Sequence, residues 1–343
     1  MIKSMKKLRQ MNKKKKIIIT ISIILVVGLL SGLFLLYGPY AGFRNFWITT
    51  AMTTKSHQYL ATWFYSDETI NKVLESNKVI EPDSDVDTSL IDTTSTNNVI
   101  YKDNYDKEIL DREENALYKI IKIKENGYEG YLGVVYDPSK VKLAVSKYSY
   151  KGEYLVDMAK DNNAILAING GGFVDQEGEG NGGQAVGIVI KDGKIVNNTY
   201  TGKGIIGLTN DNKLYLGKIS ASKAIEKGIR DAVEFGPFLI VNGEVSKVVG
   251  NGGYGIHPRS AIGQRSDGII LFLVIDGRRA TSLGADMDDL INIMQRYGAV
   301  NAANLDGGNS SALVENYQIL NKPIDWYNRE QTRPIPNGFI LVK

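Results

Sequence analysis

Residues Ile17 to Leu36 form an unbroken run of twenty positions without a charged side chain, dominated by Ile, Leu and Val. At about 1.5 Å rise per residue such a helix spans roughly 30 Å, the thickness of a bilayer's hydrocarbon core. A cleavable signal core is typically only about 7–15 residues long and ends at a small-residue site. Here the run is longer, and Tyr37-Gly38-Pro39-Tyr40 offers no such site. The pattern predicts a retained single transmembrane helix over 17–36. Lys3, Lys6, Lys7, Arg9 and Lys13 to Lys16 crowd its N-terminal side, whereas only Arg44 and Lys55 follow closely. The positive-inside rule then keeps residues 1–16, a basic tail, in the cytoplasm and sends the rest of the chain outside the cell membrane.

Beyond the apolar run the patterning changes twice. Residues 37–77 carry Phe43, Phe46, Trp47, Tyr59, Trp63, Phe64 and Tyr65, which suit a helical juxtamembrane stalk near the headgroups. His57 lies among these aromatics and reads as structural. Residues 78–116 are polar, rich in Asp and Thr and poor in large apolar side chains. Such a stretch buries too little surface to offset its ordering entropy, so a flexible acidic spacer is expected.

From residue 117 to 343 short apolar runs alternate with turn residues. Ile120–Lys124, Tyr131–Tyr136, Val141–Lys147 and Ala164–Ile168 read as strands, and Glu153–Asp161 as a helix. Asp192-Gly193 and Asn242-Gly243 mark hairpin turns, and Asn210 to Asn212 a third. The seven apolar residues Ile269 to Ile275 predict a strand buried on both faces. Asp286 to Tyr297 predicts a helix that Asp286 caps, Asp288 and Asp289 favour at its positive end, and Gly298 closes. Capping accounts for that acidic trio better than metal binding does. The expected fold class is α+β: a mixed, strand-rich sheet with a few packed helices behind one membrane helix.

Composition adds little. The chain has no cysteine, so no disulfide framework is needed. Its net charge of +3 resides largely in the N-terminal tail and gives no reason to expect a nucleic-acid partner.

Three segments carry residue types that packing alone does not require. In Ile168-Asn169-Gly170-Gly171-Gly172-Phe173, three glycines end a buried strand, which implies close backbone approach or positive φ. Asn169 is expected to point its amide into that space. In His257-Pro258-Arg259-Ser260-Ala261-Ile262-Gly263, a glycine-rich loop precedes the domain's single histidine, and Pro258 stiffens the approach to Arg259. A fixed guanidinium and imidazole suit an anionic oxygen, although a surface salt bridge explains Arg259 equally well in isolation. In Asn304-Leu305-Asp306-Gly307-Gly308-Asn309-Ser310-Ser311, a strand-end carboxylate precedes two glycines and two hydroxyls. Asp306 reads as base, nucleophile or ligand, the glycines as an anion nest, and Ser310 and Ser311 as substrate-orienting groups. No Gly-x-Ser-x-Gly pattern marks either serine as a nucleophile, and no buried cation partner for Asp306 is evident.

The order and spacing of these segments, with Glu234-Phe235-Gly236-Pro237-Phe238-Leu239, Asp276-Gly277-Arg278 and Arg333-Pro334-Ile335-Pro336-Asn337, resemble the phosphodiester glycosidase family over about residues 131–343. That domain occurs in N-acetylglucosamine-1-phosphodiester α-N-acetylglucosaminidase and in bacterial exopolysaccharide- and envelope-associated proteins. The resemblance implies a site of Asn169, Gly170 and Gly171; of His257 and Arg259; of Asp276 and Arg278; and of Asp306, Gly307, Gly308, Ser310 and Ser311. Gly172 stands where the family usually has an aromatic residue, and Asn309 where it has a third glycine.

The implied reaction is hydrolysis of the bond between a sugar's anomeric carbon and a phosphodiester, on a phosphorylated envelope glycan or a sugar-1-phosphodiester. Ordinary glycosidases protonate a poor alkoxide leaving group. A phosphate ester leaves readily as an anion, so donors and positive charge at the departing oxygen matter more. Arg259 and His257 suit that task, with Asp306 and then Asp276 as the carboxylate serving the anomeric carbon. Two rivals stand beside this reading. One is a non-catalytic binding module for phosphorylated wall polysaccharides or an export complex, which would not need a placed carboxylate. The other is a divalent-metal hydrolase with Asp306, Asp276 and His257 as ligands, which no dense ligand motif supports. No cofactor is expected.

Overall fold

The computed structural model describes residues 12–54, 57–94, 101–174, 180–325 and 328–343. The chain forms two compact units, Met1–Ser76 and Asn77–Lys343.

In the first unit the apolar run lies within one helix, Lys13–Tyr37, with no side chain buried in the protein. It is long and apolar enough to cross a membrane. It starts ahead of the predicted span because Asn12 caps it, its side chain accepting from Lys14 N at 3.3 Å. The aromatic stretch is helical, as Ala41–Met52, Tyr59–Thr62 and Asp67–Glu75. These helices share a small core of Ile48, Ala51, Ala61, Tyr65, Ile70 and Val73.

The second unit is built from antiparallel sheets. A seven-stranded sheet runs in the order Glu244–Val245, Phe238–Val241, Ala299–Asn304, Arg259–Arg265, Ile270–Ile275, Tyr128–Val135 and Tyr118–Glu125. A five-stranded sheet orders Gln318–Ile319, Leu313–Glu315, Ala164–Asn169, Asn337–Val342 and Val141–Val145. A second five-stranded sheet orders Lys194–Thr199, Gly187–Lys191, Ile229–Glu234, Ile205–Thr209 and Leu214–Gly217. The mixed helix and strand-rich class read from the sequence holds, with the strands shared among several sheets.

The continuous run at Ile270–Ile275 is explained by alternation between two cores. Ile270, Phe272 and Val274 face the main core, which Leu166, Ile168 and Phe339 of one five-stranded sheet and Val189, Ile206 and Val233 of the other also enter. Leu271, Leu273 and Ile275 face the opposite side, under the helix Met287–Arg296. That helix buries Met287, Leu290, Ile291, Ile293 and Met294, and each such side chain contributes about 1.5–3 kcal/mol of burial. Asp286 and Asp289 form a reciprocal capping box, so the acidic trio begins the helix as expected. Both hairpin turns have the left-handed backbone their residues allow: Asp192 and Gly193 at φ 50° and 71°, Asn242 and Gly243 at 55° and 82°.

Two expectations are corrected. The helix predicted from Glu153 begins at Leu155, because Glu153 exchanges backbone hydrogen bonds with Ile335. The stretch 78–116 is not a free spacer along its described length; residues 95–100 lie outside the described residues. Lys78–Ile80 pairs with Lys247–Val249, and Asp92 N donates to Ser266 O at 2.8 Å. The helix Asn104–Leu110 places Ile109 in a core and Asp106 against Arg265 at 2.8 Å. A polar segment that cannot build a core still orders when it lends a few apolar and charged groups to one already formed.

Candidate functional site

Strand ends from two sheets converge at one place. Within the seven-stranded sheet Arg259 opens its strand opposite Ile275, and Ala261 stands opposite Asn304. Asp276 and Asp306, just past those partners, therefore leave the sheet at the same edge as Arg259. The five-stranded sheet reaches this edge through Asn169 and Gly170. Asp306 N donates to Gly170 O at 3.0 Å, and Leu305 N to Ser260 O at 2.8 Å.

Asn169 is the knot of this junction. Its Nδ2 donates to Asp306 O at 2.6 Å, and its Oδ1 accepts from Ser260 Oγ at 2.7 Å and Ala312 N at 3.1 Å. It is fully buried, so the expected amide aimed at substrate is instead a tie holding the Asp306 loop. The glycines beside it serve close approach, and none of the three has positive φ. A Cβ on Gly170 would lie 2.3 Å from Asn337 Oδ1, the atom that accepts from Gly171 N at 2.8 Å. Gly172 is less constrained, with a Cβ position 3.1 Å from the Phe235 ring.

Asp306 is only 16% exposed. Its Oδ2 accepts from Ser310 Oγ at 2.5 Å and lies 3.4 Å from Arg333 Nη2. Arg333 Nε also donates to Ser310 Oγ at 2.8 Å, and its guanidinium sits 4.6 Å from the Phe173 ring centroid. Asp306 thus has a partly exposed cation partner, which engages one carboxylate oxygen.

Two more guanidinium groups flank the same loop. Arg259 is buried, with Nε donating to Ala285 O at 3.1 Å and Nη2 to Tyr254 O and Gly255 O at 2.7 Å each. Its Nη1 faces Gly307, where a Cβ would come within 3.8 Å. Arg259 is therefore no surface salt bridge. Arg278, at φ 61°, donates from Nη1 to Ile324 O at 3.2 Å, while Nη2 lies 3.2 Å from the Cβ position of Gly308. Gly308 itself has φ 62°, and its N–H is spent on Pro258 O at 2.8 Å. The nest anticipated from the two glycines is thus partly closed, and their smallness lets the loop approach the arginines.

Electrostatics agree with this crowding. Burial pushes the Arg259 guanidinium down to about 10, and burial together with the charge of Arg333 does the same to Arg278. Burial, then the charges of Arg259 and Arg278, holds His257 down to about 3, so its imidazole is neutral at any physiological pH. The carboxylates of Asp286 and Asp325 offset part of the charge on Arg259 and Arg278 respectively.

Asp276 is engaged elsewhere. Its Oδ1 accepts from Asn321 Nδ2 at 3.1 Å and Lys322 N at 2.8 Å, and burial raises its carboxyl above the usual range. Asn321 Nδ2 also donates to Ser311 O at 3.1 Å, so Asp276 braces the turn beneath the loop. Ser311 Oγ is buried without a hydrogen-bond partner among the described residues. No group of three or more His, Cys, Asp or Glu side chains among the described residues is placed to hold a metal ion.

The domain signature described as phosphodiester glycosidase matches residues 162–342, more than half of the chain. The chain belongs to the phosphodiester glycosidase family. An uncharacterized SPbeta prophage-derived protein, YomE of Bacillus subtilis (strain 168), is 30% identical over 187 residues, which is 52% of this chain and 28% of that protein's length. The fold is similar to the catalytic domain of zebrafish N-acetylglucosamine-1-phosphodiester α-N-acetylglucosaminidase, a structure auto-inhibited by its pro-peptide, with a TM-score of 0.58 at 20% identity, covering 68% of this chain and 85% of that one. A hypothetical protein from Synechocystis matches with a TM-score of 0.52 at 16% identity, covering 65% and 61%.

Placing the phosphodiester glycosidase motifs on the fold brings Arg259, His257, Arg278 and the Asp306–Ser311 loop together. Asn169, Gly170 and Gly171 lie behind that loop as its support. Sequence reasoning missed Arg333, Phe173 and Asn337 as site residues. The one available signal was an arginine and an asparagine bracketing the otherwise proline-rich apolar stretch Arg333 to Asn337.

Proposed function

We propose that the chain hydrolyses the bond between a sugar's anomeric carbon and a phosphodiester, acting on an envelope glycan from a membrane-held position outside the cytoplasm. The observation that carries this reading is the gathering of Arg259, Arg278 and Arg333 around a loop whose own carboxylate is Asp306. A phosphodiester brings one negative charge, and its departure as a monoester adds a second. Guanidinium donors in a site of low water content stabilise that added charge. Arg259 Nη1 and Arg278 Nη2 are the donors nearest Gly307 and Gly308. His257, being neutral, supplies a hydrogen bond rather than a charge.

Asp306 is assigned to the anomeric carbon. Ser310 and Arg333 hold its Oδ2, which leaves Oδ1 to take a proton from water or to attack the oxocarbenium-like centre. Asp276 is reassigned from second catalytic candidate to brace, because it is more deeply buried than Asp306 and is tied to Asn321 and Lys322. Ser310 orients Asp306. The basic flank of the apolar helix supports an N-terminus in the cytoplasm.

The deciding experiment offers the full chain, in detergent or nanodiscs, a panel of sugar-1-phosphodiesters and assays the sugar released. Turnover that Arg259→Lys impairs supports the reading, because a point charge cannot replace paired planar donors. Binding of the same compounds with no turnover by any preparation assigns a binding module instead.

A further inference from the structure

The polar segment after the helical unit is docked on the loop that cradles Arg259. Lys78–Ile80 pairs antiparallel with Lys247–Val249 in the register Lys78 to Val249 and Ile80 to Lys247. Asn77, 4% exposed, accepts the Asn251 N–H on its Oδ1 at 2.9 Å. Its backbone carbonyl lies so near Gly253 that a Cβ there would come within 2.3 Å, and Gly253 has φ 77°. At the other end of the strap Glu81 Oε1 accepts from Phe238 N at 2.8 Å, and Oε2 pairs with Lys218 Nζ at 2.7 Å. The residues right after Gly253 are Tyr254 and Gly255, whose carbonyls both receive Arg259 Nη2.

We infer that Asn77 is a positioning residue for anion binding: through Asn251 and Gly253 it fixes the two carbonyls that aim the Arg259 guanidinium at the Gly307 loop. The physical reason is the make-up of residues 250–255. Four of the six are glycine, and each at Gly250, Gly252, Gly253 and Gly255 has positive φ. Such a loop has little intrinsic preference for one shape, because glycine populates both signs of φ. Something outside it must select the conformation that presents Tyr254 O and Gly255 O together. The strap supplies a backbone ladder on one flank and the Asn77 side chain at the turn. A buried guanidinium depends strongly on that geometry, since donors left without acceptors in a dry site are expensive.

The inference rests on Arg259 being the phosphate-holding group, and its test separates the two ideas. The full chain, as wild type, Asn77→Ala, Glu81→Gln and Arg259→Lys, is titrated by calorimetry with a non-cleavable C-glycosyl phosphonate monoester that mimics a sugar-1-phosphodiester. Loss of the Asn77 hydrogen bond is expected to weaken binding about tenfold. Glu81→Gln, which keeps the acceptor for Phe238 N but drops the Lys218 pair, should weaken it less than Asn77→Ala. In the Asn77→Ala, Arg259→Lys double variant the two losses should fall short of multiplying, because both disturb one guanidinium. Where substrate turns over, Asn77→Ala should raise KM and leave kcat within about twofold. Undiminished binding in Asn77→Ala, or losses that multiply independently, overturns the strap's role while leaving Arg259 in place. Wild type that fails to bind the phosphonate overturns both. Should Asn77→Ala not fold, the near-isosteric Asn77→Leu, which keeps the volume and removes the acceptor for Asn251 N, replaces it, and wild-type affinity in that variant overturns the inference alone.

Discussion

Ser310 gives its hydroxyl proton to Asp306 Oδ2 across 2.5 Å and takes a hydrogen bond from Arg333 Nε at 2.8 Å on the same oxygen. This relay makes the two carboxylate oxygens of Asp306 unequal. Oδ2 is held by Ser310 and Arg333, and Oδ1 takes no part in those contacts. Asp306→Asn keeps shape and removes the charge and basicity. Loss of general base catalysis typically lowers rate about 10²–10⁴-fold, so turnover of a sugar-1-phosphodiester should fall at least that far. Wild-type activity in the variant removes Asp306 from the mechanism. Thermal melts run alongside should show a modest change, because Arg333 loses its ion pair but keeps Ser310 and is partly exposed.

Arg333 should behave as a working part of the site. Arg333→Lys keeps a positive charge near Asp306 but cannot reproduce the guanidinium's fixed donor geometry toward Ser310 and Asp306, and it gives up the guanidinium contact over the Phe173 ring. A fall in kcat of about tenfold is expected, in line with the loss of one or two charge-assisted hydrogen bonds. Arg333→Met should fall further. Equal rates for Arg333→Lys and wild type would confine Arg333 to packing.

How much of this was legible in the residues can be judged from particular cases. Ile269 to Ile275 announced a strand buried on both faces, and Asp286 with Asp289 announced a helix start, because periodicity and capping are local rules. The motif segments likewise marked Arg259, His257 and Asp306. Arg333 was not marked as a site residue, since its partner lies 27 positions away along the chain and only the sheet junction joins them. Asn169 was named for substrate, yet its amide is consumed by Ser260, Ala312 and Asp306. Residues 78–116 read as a spacer because composition reports whether a segment can build its own core, and says nothing of docking on another.

The three glycines after Asn169 should not be equivalent. Gly170→Ala drives a methyl to within 2.3 Å of Asn337 Oδ1, so the Asn337 amide or the strand end must shift. Overpacking of this kind typically destabilises by about 1–3 kcal/mol. Gly172→Ala meets only the Phe235 ring, at 3.1 Å, and a side chain can yield by a few tenths of an ångström. Denaturant midpoints of the two variants should therefore separate clearly, with Gly170→Ala the lower. Equal midpoints would show that Asn337 moves freely and does not clamp the motif.

His257 makes the last prediction, one of pH. Burial, followed by the charges of Arg259 and Arg278, depresses its folded pKa to about 3, against an unfolded value of about 6.5. Above 6.5 the imidazole is neutral in both states and has no pH effect. As pH falls below 6.5 the unfolded chain takes up a proton that the folded chain refuses, so stability is lost progressively toward pH 3. Between pH 6.5 and 5.0 that loss amounts to at most about 2 kcal/mol. Asp289 runs the other way, since burial raises its carboxyl to about 6 and its protonation favours the folded state as pH falls. That contribution is common to wild type and a His257 variant, and cancels in their difference. The fall in denaturant midpoint from pH 7.5 to pH 5.0 should therefore be smaller in His257→Gln than in the wild type, or turn into a rise where the Asp289 contribution then dominates. The activity profile of the wild type should likewise lack a limb near pH 6.5 from this residue. A fall unchanged by His257→Gln would mean that the imidazole is protonated in the folded protein, and its neutral role beside the arginines would have to be abandoned.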